Sequence, residues 1–452
     1  MKNTEITIKI SAVGSNGVGI GRIDNYVVLV DQGLPGDELL VKVVKAKKSF
    51  GHGEILKIIC PSPHRIDGNA ICSHFNLCGG CQWLHCDYNS QLVFKKQIVI
   101  DALTRIGGIK NPPVGDTVGM EKPLRYRNKG TFPIAHADNA DSFEIGMYEA
   151  QSHKIVPITD CAIQHPAHMP ILEVFRRFMN ENELRAYDEA TNSGLVRSIM
   201  VRPSFATPDV MTVIAINSAQ LPHEDALVKE LATAGATTVV MRKHTKRGNM
   251  PSDIDDYRVI AGTGYITEHI DELKFMLTAP SFFQVNPAQT KKLYDIALSQ
   301  AALDGTGIAI DAHCGVGSVA LYAAKHVEKI IGVDIVSAAI DDAQRNATLN
   351  GIDNASFVCG YAEVEIPKML ESGIKPKVIF LDPPRKGCDK VLLDAIIAAK
   401  IEKIVYISCD PATLARDTKI LAAGGYIIKA AQPVDMFPMT AKVEVVTEFC
   451  LQ

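Results

Sequence analysis

The C-terminal third of the chain alternates between two hydrophobic periodicities. Short apolar runs, as in KIIGVDIV and KIVYISC, alternate with stretches whose apolar positions recur every three or four residues, as in SAAIDDAQRNATLNG and TLARDTKILAAGG. The first pattern predicts buried strands and the second amphipathic helices. Regular alternation from about residue 290 predicts an α/β fold built on a parallel, doubly wound sheet. Residues 1–59 read differently: TEITIKI, YVVLV, LLVKVVKAK and GEILKII are short strands, with GSNGVGIGRIDN and DQGLPGDE supplying turns. That pattern predicts a small β-barrel of oligonucleotide-binding type. Between them, LVRSIMVRPS, VMTVIAIN, HEDALVKELATAG and ATTVVMRKH mix strands and a helix as in an α+β unit. QLVFKKQIVIDALTRI predicts a helix ended by Gly107-Gly108.

Chemistry concentrates where the predicted C-terminal strands run out, the edge at which open α/β sheets bind ligands. DAHCGVG places Asp311, Gly315 and Gly317 after one strand, and Asp334 ends the next. Glycines allow a tight turn and close backbone approach, and a carboxylate there can accept ribose hydroxyls. Ala320 stands where a pyrophosphate-binding turn would carry its third glycine, which favours S-adenosylmethionine over a dinucleotide. LDPPRKG ends a strand at Asp382, stiffened by two prolines, with Arg385 and Lys386 beside it. KIVYISCDP ends a strand at Cys409, either as a packing residue or as a nucleophile.

A second cluster precedes the middle unit. CSHFNLCGGC gives Cys72, Cys78 and Cys81 in a C-x5-C-x2-C pattern, and Cys161 is the best candidate for a fourth ligand, with Cys60 and Cys86 behind it. Four thiolates suit zinc or an iron–sulfur cluster, and spacing does not separate them.

Composition narrows the class. With 452 residues, 47% hydrophobic and 22% charged, the chain reads as a multidomain globular protein. A net charge of −4 neither announces nor excludes nucleic acid, because basic residues cluster locally: Lys42, Lys45, Lys47 and Lys48; Arg125, Arg127 and Lys129; Arg242, Lys243, Lys246 and Arg247. The polar N-terminus is no signal peptide and no apolar run is long enough to cross a bilayer, so a cytoplasmic protein without membrane association is expected. Eleven cysteines in a reducing compartment argue for metal binding, catalysis or core filling rather than disulfides.

Together with QPVDMFPMTAKVE (Gln432 to Glu444), the DPPRKG and SCDPATLARD motifs make the chain resemble the RNA uracil-5-methyltransferases, over essentially its whole length. The resemblance implies a Rossmann-like, S-adenosylmethionine-dependent catalytic domain over 87–121 and 276–452. It further implies an RNA-binding TRAM barrel over 1–59 and a central α+β domain with a [4Fe–4S] cluster over 60–86 and 122–275. It makes Cys409 the nucleophile and Glu444 the general base. Gln284 (in SFFQVN), His313, Asp334 and Asp382 become the cofactor contacts, and Cys72, Cys78, Cys81 and Cys161 the cluster ligands. Members with such a cysteine pattern act on ribosomal RNA, so a monomer acting on 23S ribosomal RNA is expected. Transfer RNA is the alternative substrate, and a catalytically impaired RNA-binding iron–sulfur protein or an oxidoreductase are the rivals.

The chemistry explains the residue types. C5 of uracil is too weak a nucleophile until a thiolate adds at C6, and a base must then remove the C5 proton. The thiol is therefore expected to have a lowered pKa, and the base to leave its stack. Four positions depart from the family pattern: His313 for an aromatic residue, Asp334 for Glu, Asp410 for Asn, and Lys442 for His.

Overall fold

The computed structural model describes residues 2–136, 143–247 and 256–452. The N-terminal unit is a closed barrel of β1 (Glu5–Val13), β2 (Gly19–Ile23), β3 (Tyr26–Val30), β4 (Glu38–Ala46) and β5 (Phe50–Cys60), in the order β1-β2-β3-β5-β4. Alternate residues Ile8, Ile10, Val28, Val30, Leu39 and Val41 fill its interior. The stretch expected to be only a turn contains a strand, β2. Its glycines allow the barrel to close tightly: a Cβ on Gly19 would lie 2.6 Å from the Gly33 carbonyl oxygen.

The cysteine-rich stretch holds one short helix, α1 (Gly68–Ile71), and leads into α2 (Tyr88–Arg105). Then come β6 (Gly130–His136), β7 (Phe143–Tyr148), β8 (Ile155–Pro157), α3 (His168–Glu181), β9 (Val196–Pro203), β10 (Val210–Ile216), α4 (Glu224–Thr233), β11 (Thr238–Lys243) and β12 (Asp256–Ala261). These strands form a seven-stranded sheet, order β12-β11-β10-β9-β6-β7-β8. One face packs on α3 and α4 through Phe175, Phe178, Leu227 and Leu231. The other, through Met200, Met211, Val213 and Val240, shares a core with the C-terminal unit and with the hairpin β13 (Tyr265–Ile270) and β14 (Leu273–Thr278).

The C-terminal unit runs through α5 (Pro287–Ala301), β15 (Ile308–Ala312), α6 (Ser318–Ala324), β16 (Lys329–Asp334), α7 (Ser337–Leu349), β17 (Ala355–Cys359) and α8 (Ala362–Glu371). It ends with β18 (Pro376–Leu381), α9 (Lys390–Ala399), β19 (Lys403–Ser408), α10 (Pro411–Ala423), β20 (Tyr426–Val434) and β21 (Glu444–Leu451). The sheet order is β17-β16-β15-β18-β19-β21-β20, with the reversal of strand order between β15 and β18. Helix α2, far upstream, packs against α10 and β20. The sheet is not wholly parallel, because β21 runs antiparallel to both β19 and β20. That reversal places the start of β21 at the edge where the parallel strands end.

Candidate active site

Five adjacent strands present functional side chains at one sheet edge. Asp334 closes β16, and Asp311 lies in β15 one residue before its end, with His313 just beyond it. Asp382 follows β18, Cys409 follows β19, and Glu444 opens β21. Ser408 pairs with Val445, so the next residues along, Cys409 and Glu444, face each other across neighbouring strands. With strands about 4.8 Å apart, the row from Asp334 to Glu444 spans roughly 19 Å. It is long enough for a nucleoside-sized ligand at one end and a reacting base at the other.

The glycine turn is built by carboxylates. Asp311 is fully buried; one oxygen accepts the Ala320 amide at 2.9 Å and the other has no partner. Asp334 accepts the Gly315 amide at 2.9 Å and the Val336 amide at 2.9 Å, so the shorter carboxylate shapes the turn and keeps lone pairs for hydroxyls. Gly315 and Gly317 take φ of 54° and 80°, and a Cβ on Gly315 would meet open space. His313 also has a positive φ, 70°; burial lowers its pKa, leaving a neutral ring with a buried, unpartnered Nδ1. Burial raises Asp311 well above the usual carboxylate range, with Asp382 and Asp334 adding to the effect. Asp382, partly enclosed, is raised to about 7 by desolvation. Desolvation thus holds Asp311 and Asp382 towards the protonated form, and a cationic ligand beside them would favour their ionised form.

Gln284 lies on the segment between β14 and α5, with its side chain buried and its carbonyl accepting from Asn128 at 3.3 Å. The segment is tied to α7 by Asp342, which accepts from the hydroxyls of Thr278 and Ser281. Arg202 of the central sheet holds it from the other side, donating to the Ser281 carbonyl at 3.0 Å.

The thiol departs from expectation. Its surroundings raise Cys409 to about 11 instead of lowering it, first through burial and then through Glu444 and Asp382. Arg385 opposes the rise, a part that the adjacent-cation signal in DPPRKG could have suggested. Glu444 is buried, has one oxygen without a partner, and is raised to about 8 by burial with Asp382 second. Asp410, unexplained by the sequence reading, is the N-cap of α10: its carboxylate accepts the Ala412 amide at 2.8 Å and the Thr413 amide at 3.3 Å. Asn caps a helix equally well, so this departure preserves the local structure. An Asp-Pro pair before a helical pattern is itself an N-cap signal. Lys442 is exposed. Tyr294, which the sequence did not flag, lies fully buried on α5 under the influence of Asp382, Asp311 and Glu444, with its hydroxyl 2.8 Å from Ser318 Oγ.

The four chosen cysteines converge. Cys72, Cys78, Cys81 and Cys161 line one cavity of about 370 Å³ together with His74, Arg127 and Lys129. The first three sit on a loop pinned by the Gly79 amide to the Tyr148 carbonyl at 2.9 Å. Cys161 is fixed because the Arg125 and Arg127 amides donate to the carbonyls of Ala162 and Ile163. An amide N–H points at sulfur at one position, Gly80 donating to Cys78 at 3.4 Å. Among the described residues, however, no group of three or more His, Cys, Asp or Glu side chains closes to hold a metal ion. The thiols wall a space rather than meeting at a point. Cys60 is exposed and Cys86 lies in a separate apolar cluster, so neither joins them.

Of the basic clusters, Lys45, Lys47 and Lys48 are exposed on the barrel. Arg125 is committed to Asp160 through two bonds of 2.6 Å. Arg242 is buried. No helix among the described residues is long and apolar enough to cross a membrane.

Residues 255–448 match the family model described as tRNA (Uracil-5-)-methyltransferase, and residues 1–56 match the TRAM domain. A Bacillus cereus protein described as an uncharacterized RNA methyltransferase is 41% identical over 98% of this chain and 96% of its own. A Clostridium acetobutylicum protein of the same description is 40% identical over 98% and 96%. The crystal structure of Pyrococcus abyssi tRNA (uracil-54, C5)-methyltransferase in complex with S-adenosyl-L-homocysteine superposes with a TM-score of 0.76 at 26% identity, covering 98% of this chain and 99% of that one. By full-length similarity, and with a sheet edge that sets a cysteine against a glutamate, the chain belongs to the RNA uracil-5-methyltransferase family with an N-terminal TRAM domain.

Proposed function

We propose that the protein methylates C5 of uridine in RNA, using S-adenosylmethionine. The observation that carries the reading is the edge itself: three carboxylates suited to a cation stand beside a paired cysteine and glutamate. S-adenosylmethionine fits this site better than a pyrophosphate cofactor, since its ammonium and sulfonium charges complement Asp311 and Asp382 while Asp334 keeps lone pairs for the ribose hydroxyls. When bound it supplies the methyl group. Gln284, His313, Asp334 and Asp382 are the residues assigned to hold it.

The chain's own residues then divide the work. Cys409 attacks C6 of the uracil as thiolate, forming a C–S bond and pushing electron density to C5, which takes the methyl group. Glu444 removes the C5 proton, and the returning electron pair expels the Cys409 thiolate. The raised pKa values of Cys409, Asp382 and Glu444 describe the protein alone. A cation at the edge favours the ionised form of each. The nucleophile is thus armed when the methyl donor arrives.

We assign this division of labour to domains over 1–59, 60–86 with 122–275, and 87–121 with 276–452, with the last junction moved past Thr278 because residue 275 lies inside β14. The four-cysteine cavity is assigned to a [4Fe–4S] cluster rather than a single zinc ion on the family resemblance, since cysteine spacing does not separate the two. Held by Cys72, Cys78, Cys81 and Cys161, a cluster would brace the central domain, since methyl transfer consumes no electron. This cysteine set favours 23S ribosomal RNA as substrate. The likeness to the Pyrococcus abyssi transfer-RNA enzyme keeps transfer RNA as the second reading.

Deletion of the gene, with 5-methyluridine mapped by nucleoside mass spectrometry, tests the function. Loss of one ribosomal 5-methyluridine is expected; loss in transfer RNA selects the second reading, and unchanged levels in both refute the activity. RNA carrying 5-fluorouridine at the target traps the covalent adduct, because fluorine cannot leave as a proton. Cys409→Ala abolishes the adduct while retaining RNA binding; an adduct in that variant removes Cys409 from the role.

A further inference from the structure

Lys95 lies within α2 and Asp435 just past β20, 340 residues apart, yet both side chains are fully buried and paired at 2.5 Å. The Lys95 ammonium also donates to the Phe437 carbonyl at 3.1 Å, and the Phe437 amide donates to the same Asp435 oxygen at 3.2 Å. The pair therefore grips the first turn of the loop between β20 and β21. Other groups hold the loop as well: Asn286, two residues past Gln284, donates to the Met436 carbonyl at 3.1 Å, the Tyr126 hydroxyl to the Pro438 carbonyl at 3.1 Å and Gln289 to the Asp435 carbonyl at 3.1 Å, while the Met439 amide donates to Gln91 and its carbonyl accepts the Trp83 amide, each at 3.0 Å. The loop runs straight into Glu444, the first residue of β21. A fully buried ion pair is a poor source of stability compared with apolar residues of the same volume. Its geometric effect is specific: it fixes where the strand carrying Glu444 begins.

We infer that Lys95 and Asp435 are positioning residues for proton removal at C5, acting by anchoring the 435–443 loop so that Glu444 meets Cys409 across the sheet edge. The inference rests on the proposed uracil methylation. Asp435 follows Val434, the β20 residue that pairs with Glu444, so the pair acts on the strand start that carries Glu444. The attack of Cys409 and the methyl transfer come before Glu444 is needed. Displacing Glu444 slows the last step alone, and the Cys409–C6 adduct on ordinary, non-fluorinated RNA builds up.

The test is the paired variant Lys95→Met with Asp435→Asn, which removes both charges together and leaves no unpaired buried ion. Turnover and KM for RNA are measured, and the denaturing-gel-stable protein–RNA complex is quantified on ordinary RNA. The expected result is a kcat about 100-fold lower, a KM lowered with it because the adduct accumulates, and a covalent complex that wild type does not accumulate. Wild-type turnover overturns the inference, and so does a reduced rate with no complex. Asp435→Glu keeps both charges while displacing the loop, and is expected to give the same accumulation with about a tenfold loss; wild-type behaviour there also overturns it should the paired variant not fold. If wild type itself forms neither a 5-fluorouridine adduct nor 5-methyluridine, the proposed activity fails first and the inference falls with it.

Discussion

Replacing Glu444 with Gln should remove catalytic turnover and stabilise the fold in a pH-dependent way. The carboxyl is buried, and its pKa is raised from the ordinary 4.5 to about 8. Below about pH 4.5 both folded and unfolded chains carry the proton, and the site costs nothing. Between about pH 4.5 and 8 the unfolded chain gives up its proton while the folded one keeps it, so stability falls as pH rises. Above about pH 8 the full cost is present. At about 1.4 kcal/mol per pKa unit it is on the order of 5 kcal/mol. Gln escapes that cost but leaves an amide in a site where one Glu444 oxygen already lacks a partner, a loss of about 1 to 3 kcal/mol. The net gain is roughly 2 to 4 kcal/mol at pH 9 and vanishes or reverses near pH 4.5. Thermal unfolding of wild type and Glu444→Gln across that range reads it directly, as a difference in Tm that grows by several degrees with pH. A difference that does not change with pH would refute the account of a desolvated carboxyl. The same variant should still form the 5-fluorouridine adduct, because the base acts after the thiol.

Other outcomes follow from neighbouring groups. Arg385→Ala should shift the pH midpoint of adduct formation upward, since Arg385 lowers the Cys409 pKa, and Arg385→Lys should restore it; an unmoved midpoint counts against the electrostatic role. Asp410→Asn should match wild type in denaturant unfolding, whereas Asp410→Ala should lose about 1 kcal/mol with the cap; equal losses in both would reject the capping role. Cys161→Ser should lower bound iron and sulfide in the purified protein, measured chemically and by visible absorbance, and one equivalent of zinc in wild type would overturn the cluster assignment. S-adenosylmethionine should move the pH midpoint of Cys409 alkylation by iodoacetamide downward relative to S-adenosylhomocysteine, which lacks the sulfonium charge, and equal midpoints would contradict charge-assisted thiolate formation.

Much of the catalytic edge is legible in sequence because it depends on local order. A strand that ends in Asp-Pro-Pro or in Ser-Cys-Asp-Pro fixes where its functional residue emerges, whatever packs around it. The periodicities at Ser337–Leu349 and Lys403–Ser408 likewise define helix and strand without tertiary help. Asp410 stayed unexplained in the sequence, although the Asp-Pro pair ahead of a helical pattern carries the cap signal that the structure bears out. Lys95 was not readable: a lysine in an amphipathic helix reads as solvated, and only its burial against Asp435 makes it structural.

The electrostatics of the site were also beyond local reading. Cysteine at a strand end suggests a reactive thiol, but its pKa follows from burial and from Glu444 and Asp382, which arrive from other strands. The sequence by itself determined the alternating α/β pattern, the residues at each strand end and the cluster of Cys72, Cys78 and Cys81, because each depends on spacing along the chain, whereas the fold brings Cys161 to them. The tertiary structure alone decided that β21 enters antiparallel between β19 and β20. Only that reversal sets the beginning of one strand beside the end of another, and so brings Glu444 to face Cys409.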